Sequence, residues 1–183
     1  MNVKIKNITI RQPKLTWVLF IFLGVLNSCY SFTGSSLTDE KTVKISEFPN
    51  NASLVNPTLS QQFSTDIQNR FLQRTTLKGT KENPDILIEG EITGYGFSPT
   101  TISSNTQTNP SGGVVQEAQN KLTITVKVHY ENKLHPDSSF DRTYSDEAVF
   151  NSSLSQSEIE ASQVKIVTDR IINKIFNDIV ANW

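Results

Sequence analysis

The spacing of apolar positions changes several times along the chain, and each change marks an element. Leu15 to Leu26 is almost continuously apolar, a run too short to span a bilayer, which takes about 20 such residues. Tyr30 to Glu40 is polar and rich in Ser, Thr and Gly, and reads as a tether. In Thr42–Phe48, Val43 and Ile45 alternate with Lys44 and Ser46, which predicts a strand. Pro49, Asn50 and Asn51 end it. From Thr58 the apolar residues step by four through Leu59, Phe63, Ile67 and Phe71, with Leu72 beside them. That spacing predicts a helix to about Arg74. Gly79 and Pro84 then punctuate the chain before a strand over Asp85–Phe97, with Ile86, Ile88, Gly90 and Ile92 on one face and Leu87, Glu89 and Glu91 on the other.

Residues 98–117 hold Pro99, Pro110 and Gly112-Gly113 among Ser, Thr and Asn, and read as a long polar loop. Leu122, Ile124, Val126, Val128 and Tyr130 next alternate with Lys121, Thr123, Thr125, Lys127, His129 and Glu131. A turn at His135-Pro136-Asp137 leads to a fourth strand near Ser139–Val149. Ser155-Gln156-Ser157-Glu158 has the capping-box pattern of a helix start. The helix it opens would bury Ile159, Val164, Val167, Ile171, Ile175 and Ile179. The fold expected is a two-layer α+β sandwich in the order β-α-β-β-β-α, a four-stranded mixed sheet with two helices on one face. Its first strand-helix-strand unit is parallel, and two helices leave the opposite, polar sheet face uncovered.

Charge explains the apolar run near the start. Lys4, Lys6, Arg11 and Lys14 precede it and no acidic residue does, which is the layout of a secretory signal. Leu26-Asn27-Ser28-Cys29 then resembles a lipobox, although Asn27 departs from the usual small or aliphatic residue. Cys29 is the only cysteine in 183 residues, so no intramolecular disulfide can form. The organisation expected is a signal peptide over 1–28, a tether over 29–41 lipidated at Cys29, and one domain over 42–183. Each buried methylene of an acyl chain adds about 0.8 kcal/mol, so two or three chains hold a protein on a membrane durably. Without the first 28 residues the chain keeps 13 of its 17 basic and all 18 acidic residues. That balance argues against nucleic acid as a partner.

The sequence carries no nucleophile elbow, phosphate loop or dinucleotide fingerprint. Glu89 and Glu91 share a strand face, which solvation explains better than acid–base work. His129 and His135 have no ligand-spaced partners, so no metal is expected, and neither is any cofactor. Two basic groups are candidates for an anionic ligand. Lys121 and Lys127 share the open strand face. Arg70, Arg74, Lys78 and Lys81 run along the end of the first helix and past it, where cations also complement the helix dipole.

Several strings resemble the Bacteroidetes branch of the LptE family: Tyr30-Ser31-Phe32-Thr33-Gly34, Phe48-Pro49-Asn50-Asn51-Ala52, Leu54 to Gln61, Glu89 to Tyr95, Leu122 to Val126, and Ile179 to Trp183. The resemblance implies a non-enzymatic outer-membrane lipoprotein that plugs an LptD-type β-barrel, helps it assemble, and aids lipopolysaccharide transport to the outer leaflet. With nothing acidic between Tyr30 and Thr38, it further implies anchorage in the inner leaflet, facing the periplasm. Lipopolysaccharide would then be the anion met by Lys121 and Lys127 or by the helix-end group. The competing expectation is a lipid-anchored periplasmic ligand-binding protein or an envelope hydrolase.

Overall fold

The structure, a computed structural model, describes residues 37–54, 56–108 and 114–180. They belong to one of two units, Ser35–Trp183. The expected signal peptide over 1–28 and the expected lipidation site Cys29 lie outside the described residues.

The alternating stretches form strands β1 (Thr42–Ile45), β3 (Ile86–Thr108), β4 (Val114–Asn132) and β5 (Phe140–Asn151). The fourfold stretch forms helix α1 (Leu59–Arg74), and a two-residue strand β2 (Lys78–Gly79) follows it. The last helix opens at Gln156–Glu158, passes through a π-helical segment at Ile159–Val164, and continues as α2 (Lys165–Val180). Strand order is β2-β1-β3-β4-β5. β1 runs parallel to β2 and β3, while β3, β4 and β5 are successive antiparallel hairpins. The sheet is therefore mixed and the fold α+β, with five strands where the pattern gave four.

Both helices bury their apolar faces on one side of the sheet. Leu59, Phe63, Ile67 and Phe71 of α1 are all buried, as are Val167, Ile171, Ile175 and Ile179 of α2. They meet Ile86, Ile88 and Ile92 of β3 and Leu122 to Tyr130 of β4 in one cluster. Each such side chain contributes about 1.5–3 kcal/mol when fully buried. Phe48 packs on Phe63 and Phe71 on Phe176, with ring centroids 5.2 Å apart in both pairs. Leu72, placed beside the apolar face of the first helix, is 45% exposed instead.

A bulge in β3 sets what lies on each face. Ile92 pairs with Val126, but the next partners are Gly94 and Thr125, leaving Thr93 unmatched. An extra residue shifts the alternation by one. Tyr95 therefore joins the buried face, although before the bulge that face belonged to even-numbered residues.

The stretch over 98–117, read as a loop, is mostly strand. β3 and β4 continue as a two-stranded ribbon, with Ser98 opposite Lys121, Thr101 opposite Ala118 and Ser103 opposite Gln116. Loop-like composition gives way because cross-strand hydrogen bonds satisfy the backbone, and threonine is β-branched and suits an extended chain. β5 pairs no further than Asn151 with Gln119. The ribbon therefore leaves the sheet beyond that point.

The Ser155–Glu158 cap forms as expected. The Ser155 N–H and hydroxyl donate to Glu158 Oε2 at 2.8 and 2.6 Å, and the Glu158 N–H returns to Ser155 Oγ at 3.4 Å.

Candidate functional site

β4 places Lys121, Thr123, Thr125, Lys127 and His129 on the sheet face that no helix covers, each partly or fully exposed. Cross-strand neighbours take up much of their bonding capacity. Lys121 Nζ lies 3.0 Å from Glu147, His129 Nδ1 lies 3.0 Å from Asp141, and the Thr125 and Ser145 hydroxyls are 3.0 Å apart. Lys127 lines a shallow concavity with Glu89, Glu91, His129 and Asp141. Carboxylates thus outnumber cations around Lys127. Glu89 accepts from the Ser46 hydroxyl at 3.0 Å and Glu91 from Asn51 Nδ2 at 2.7 Å. Each carboxylate is held by its own donor on a solvated face, and the arrangement converges on no reacting atom.

The second basic group is spread around the opposite sheet edge. Arg70 hydrogen-bonds Asn173 and so ties α1 to α2. Arg74 sits in the last turn of α1, Lys78 in β2, and Lys81 just beyond it. The structure adds Lys44, which lines a groove together with Lys81. Its place as an ordinary outward position of β1 gave no signal of that role in the sequence.

Where the tether meets the domain, Glu40 is buried, its side chain with no exposed surface. Its carboxylate accepts hydrogen bonds from Asn132 Nδ2 and the Asp39 N–H, and His135 Nε2 lies 3.9 Å away. Burial raises its pKa, but those hydrogen bonds and the neighbouring histidine outweigh burial and hold it below the usual carboxylate range. Tether polarity concealed this anchor, because an acid in a Ser/Thr stretch reads as solvated.

The other sheet edge is guarded. Arg142 bonds Asp178 at 2.8 Å and Lys174 bonds Asp146 at 2.8 Å, joining β5 to α2. Burial raises the Asp146 pKa, yet hydrogen bonds from Lys174 and the Glu147 N–H, with the charges of Lys174 and Arg170, keep it low. Lys174 also donates to the Ser145 carbonyl at 3.1 Å and Arg170 to the Glu147 carbonyl at 3.2 Å.

Among the described residues no helix is long and apolar enough to cross a membrane, and no group of three or more His, Cys, Asp or Glu could hold a metal. What the geometry builds is a small α+β domain, with one polar sheet face and a β3–β4 ribbon that runs past β5. The profile of the LptE family, described as lipopolysaccharide-assembly, matches residues 40–181. The chain belongs to that family, and its role is in lipopolysaccharide assembly.

No curated protein matches the chain. Similar solved structures include a minor lipoprotein from Acinetobacter baumannii, 15% identical, with TM-score 0.48, covering 78% of this chain and 94% of its own. The hypothetical protein CT253 from Chlamydia trachomatis is 12% identical, with TM-score 0.48, covering 78% and 99%. PelC from Paraburkholderia phytofirmans, solved as a dodecamer, is 10% identical, with TM-score 0.46, covering 80% and 94%.

Proposed function

We propose that this chain is an outer-membrane lipoprotein, anchored to the inner leaflet by acyl chains on Cys29 and facing the periplasm. It plugs an LptD-type β-barrel, helps that barrel assemble, and aids passage of lipopolysaccharide to the outer leaflet. It acts as a structural and transport subunit, without catalysis of its own. The carrying observation is the asymmetry of the sheet. Helices cover one face; the other is polar, uncovered, and continues into the β3–β4 ribbon beyond Asn151. Polar contact with a barrel wall suits a face of threonines, serine and neutralised charge pairs better than it suits a dry core.

Photo-crosslinkers at Thr123 and Thr125 test this reading in intact cells. Capture of a high-mass barrel protein from both positions is the expected result. Capture solely from Lys165 and Asn177, on the exposed side of α2, would reverse the orientation. Absence of any barrel adduct, with the same barrel missing from detergent pull-downs, would sink the reading.

A further inference from the structure

A groove opens between α1 and the β1–β2 edge. β2 is two residues long and pairs with β1 only at Thr42 and Val43. Past that point the edge of β1 is uncovered, and the space beneath α1 opens into a groove of ≈ 380 Å³. That volume falls within the roughly 300–1,000 Å³ usual for small-molecule sites. Val43, Ile45 and Leu72 supply apolar walls, and Gly79 leaves the mouth open beside Leu72. Two carbonyls that such an edge would expose are already satisfied. The Val43 carbonyl accepts from the Thr80 N–H at 3.0 Å, and the Ile45 carbonyl from Gln68 Nε2 at 3.2 Å. A peptide strand therefore finds these acceptors taken, whereas an apolar chain can lie against Val43, Ile45 and Leu72.

The charge at the rim is positive and is not taken up by ion pairs. Lys121, Arg142, Lys165, Arg170 and Lys174 each pair with a carboxylate. Among the described residues Lys44, Lys78, Lys81 and Arg74 form no ion pair. Glu82, the acidic neighbour of Lys81, bonds through its backbone to Thr80 and forms no ion pair with these cations either. Cations left free beside an apolar slot complement an amphiphile with an anionic head.

We infer that this groove holds an acyl chain of the lipid A end of lipopolysaccharide, with Lys44 and Lys81 at its rim contacting a lipid A phosphate. The inference rests on the chain serving lipopolysaccharide assembly, and it selects the helix-end side of the molecule over Lys121 and Lys127. Lys121 is already committed to Glu147, and Lys127, although it forms no ion pair, stands among Glu89, Glu91 and Asp141, which disfavour a second anion. Each methylene withdrawn from water strengthens binding about fourfold, so the slot would supply affinity and the lysines orientation.

Two variants separate chain from head. Gly79 is not in the left-handed region, and a Cβ there would meet only Leu72 side-chain carbons at 3.7 and 3.9 Å. Gly79→Leu therefore fills the slot without backbone strain. Lys44→Glu with Lys81→Glu reverses the rim charge at a half-buried and an exposed position. The probe is purified lipopolysaccharide, presented to the full-length lipidated chain in non-ionic detergent. Each variant should weaken binding by about tenfold or more, the charge variant chiefly at low salt. The Gly79→Leu loss should vanish when the probe is deacylated, and the charge loss when it is dephosphorylated. Lys121→Glu with Lys127→Glu should stay within about twofold of the wild type. Unchanged binding in either groove variant, or a loss confined to the Lys121/Lys127 variant, overturns the assignment. Barrel capture is measured on the same proteins and should persist. Its failure in the wild type would count against the proposed function and leave the groove result standing.

Discussion

Thr42 and Asp85 lock each other at the point where the tether becomes sheet. Asp85 Oδ2 accepts from the Thr42 N–H and hydroxyl, each at 2.9 Å, and the Asp85 N–H donates to Thr42 Oγ1 at 3.0 Å. The same carboxylate oxygen accepts the Lys41 N–H at 2.9 Å. Three residues thus fix the first turn of β1 against the start of β3, and buried Glu40 pins the preceding residue to Asn132. The chain therefore enters the sheet fixed at the end opposite the ribbon.

Asp85→Ala should cost about 1–2 kcal/mol, since hydrogen bonds to a charged group are worth more than neutral ones but partial exposure screens them. The Lys41 N–H, then the Thr42 hydroxyl and N–H, hold the Asp85 pKa below its usual value. A depressed folded pKa means the stabilisation is complete above the unfolded value near 3.9 and is lost as pH falls through the folded one. Thermal melts should show the variant below wild type at neutral pH, with the gap closing well below pH 4. A gap that widens on acidification would contradict the role given to Asp85.

Gly90 should tolerate no side chain. A Cβ there would lie 2.3 Å from the Lys127 carbonyl oxygen and 2.4 Å from the Phe48 ring. The first neighbour is sheet backbone and the second a fully buried ring, so neither can yield cheaply. Gly90→Ala is expected to cost about 3 kcal/mol or more by overpacking. Urea unfolding reads this as a fall in midpoint with an unchanged slope, and a midpoint within error of wild type would refute it.

Lys174 and Arg170 cover outward carbonyls of Ser145 and Glu147, which blunts an edge strand that could otherwise pair with another chain. Replacing both with serine should leave the core intact and promote self-association through β5. Light scattering over time at rising protein concentration would detect it. A monodisperse double variant would show that the edge needs no guard.

Much of this architecture could be read from spacing. The four-residue step from Leu59 to Phe71, the alternation from Leu122 to Tyr130 and the Ser155–Glu158 cap are local signals that tertiary contacts reinforce. The features that escaped depend on partners distant in sequence. Lys78-Gly79 has no strand propensity and is extended only because β1 offers it a parallel edge. Arg142 and Asp146 alternate like solvent-facing charges, yet lie on the helix side because α2 supplies Asp178 and Lys174. The Thr93 bulge reverses the face assignment of everything after it. Both basic groups were legible as residues; that Lys121 pairs with Glu147 and that Lys127 sits beside Glu91 and Asp141 depended on carboxylates arriving from other strands.

Cys29→Ser should abolish acylation and leave uncleaved precursor, because lipid transfer to the thiol precedes cleavage of a lipoprotein signal. Metabolic labelling with an alkyne fatty acid, read with the mobility of the chain on a gel, checks both effects. A labelled, normally processed mutant would place the lipid elsewhere.

The ribbon should be separable from the fold. Thr101 and Ala118 face each other across β3 and β4, beyond the last pairing of β5 at Gln119. From Thr101 to Thr108 the ribbon extends roughly 25 Å at about 3.3 Å per residue. Excising 102–117 and joining Thr101 to Ala118 through an Asn-Gly turn keeps the register, because that turn matches the twist of a two-residue hairpin. The shortened protein should melt within a few degrees of wild type, since burial carries the stability. Its capture of the barrel should fall by about tenfold or more if the ribbon carries contacts, as loops and extensions on rigid scaffolds commonly do. Full barrel capture by the shortened chain would restrict the interface to the polar sheet face around Thr123 and Thr125. A collapse in melting temperature would instead mean that the ribbon supports the core, contrary to its position beyond β5.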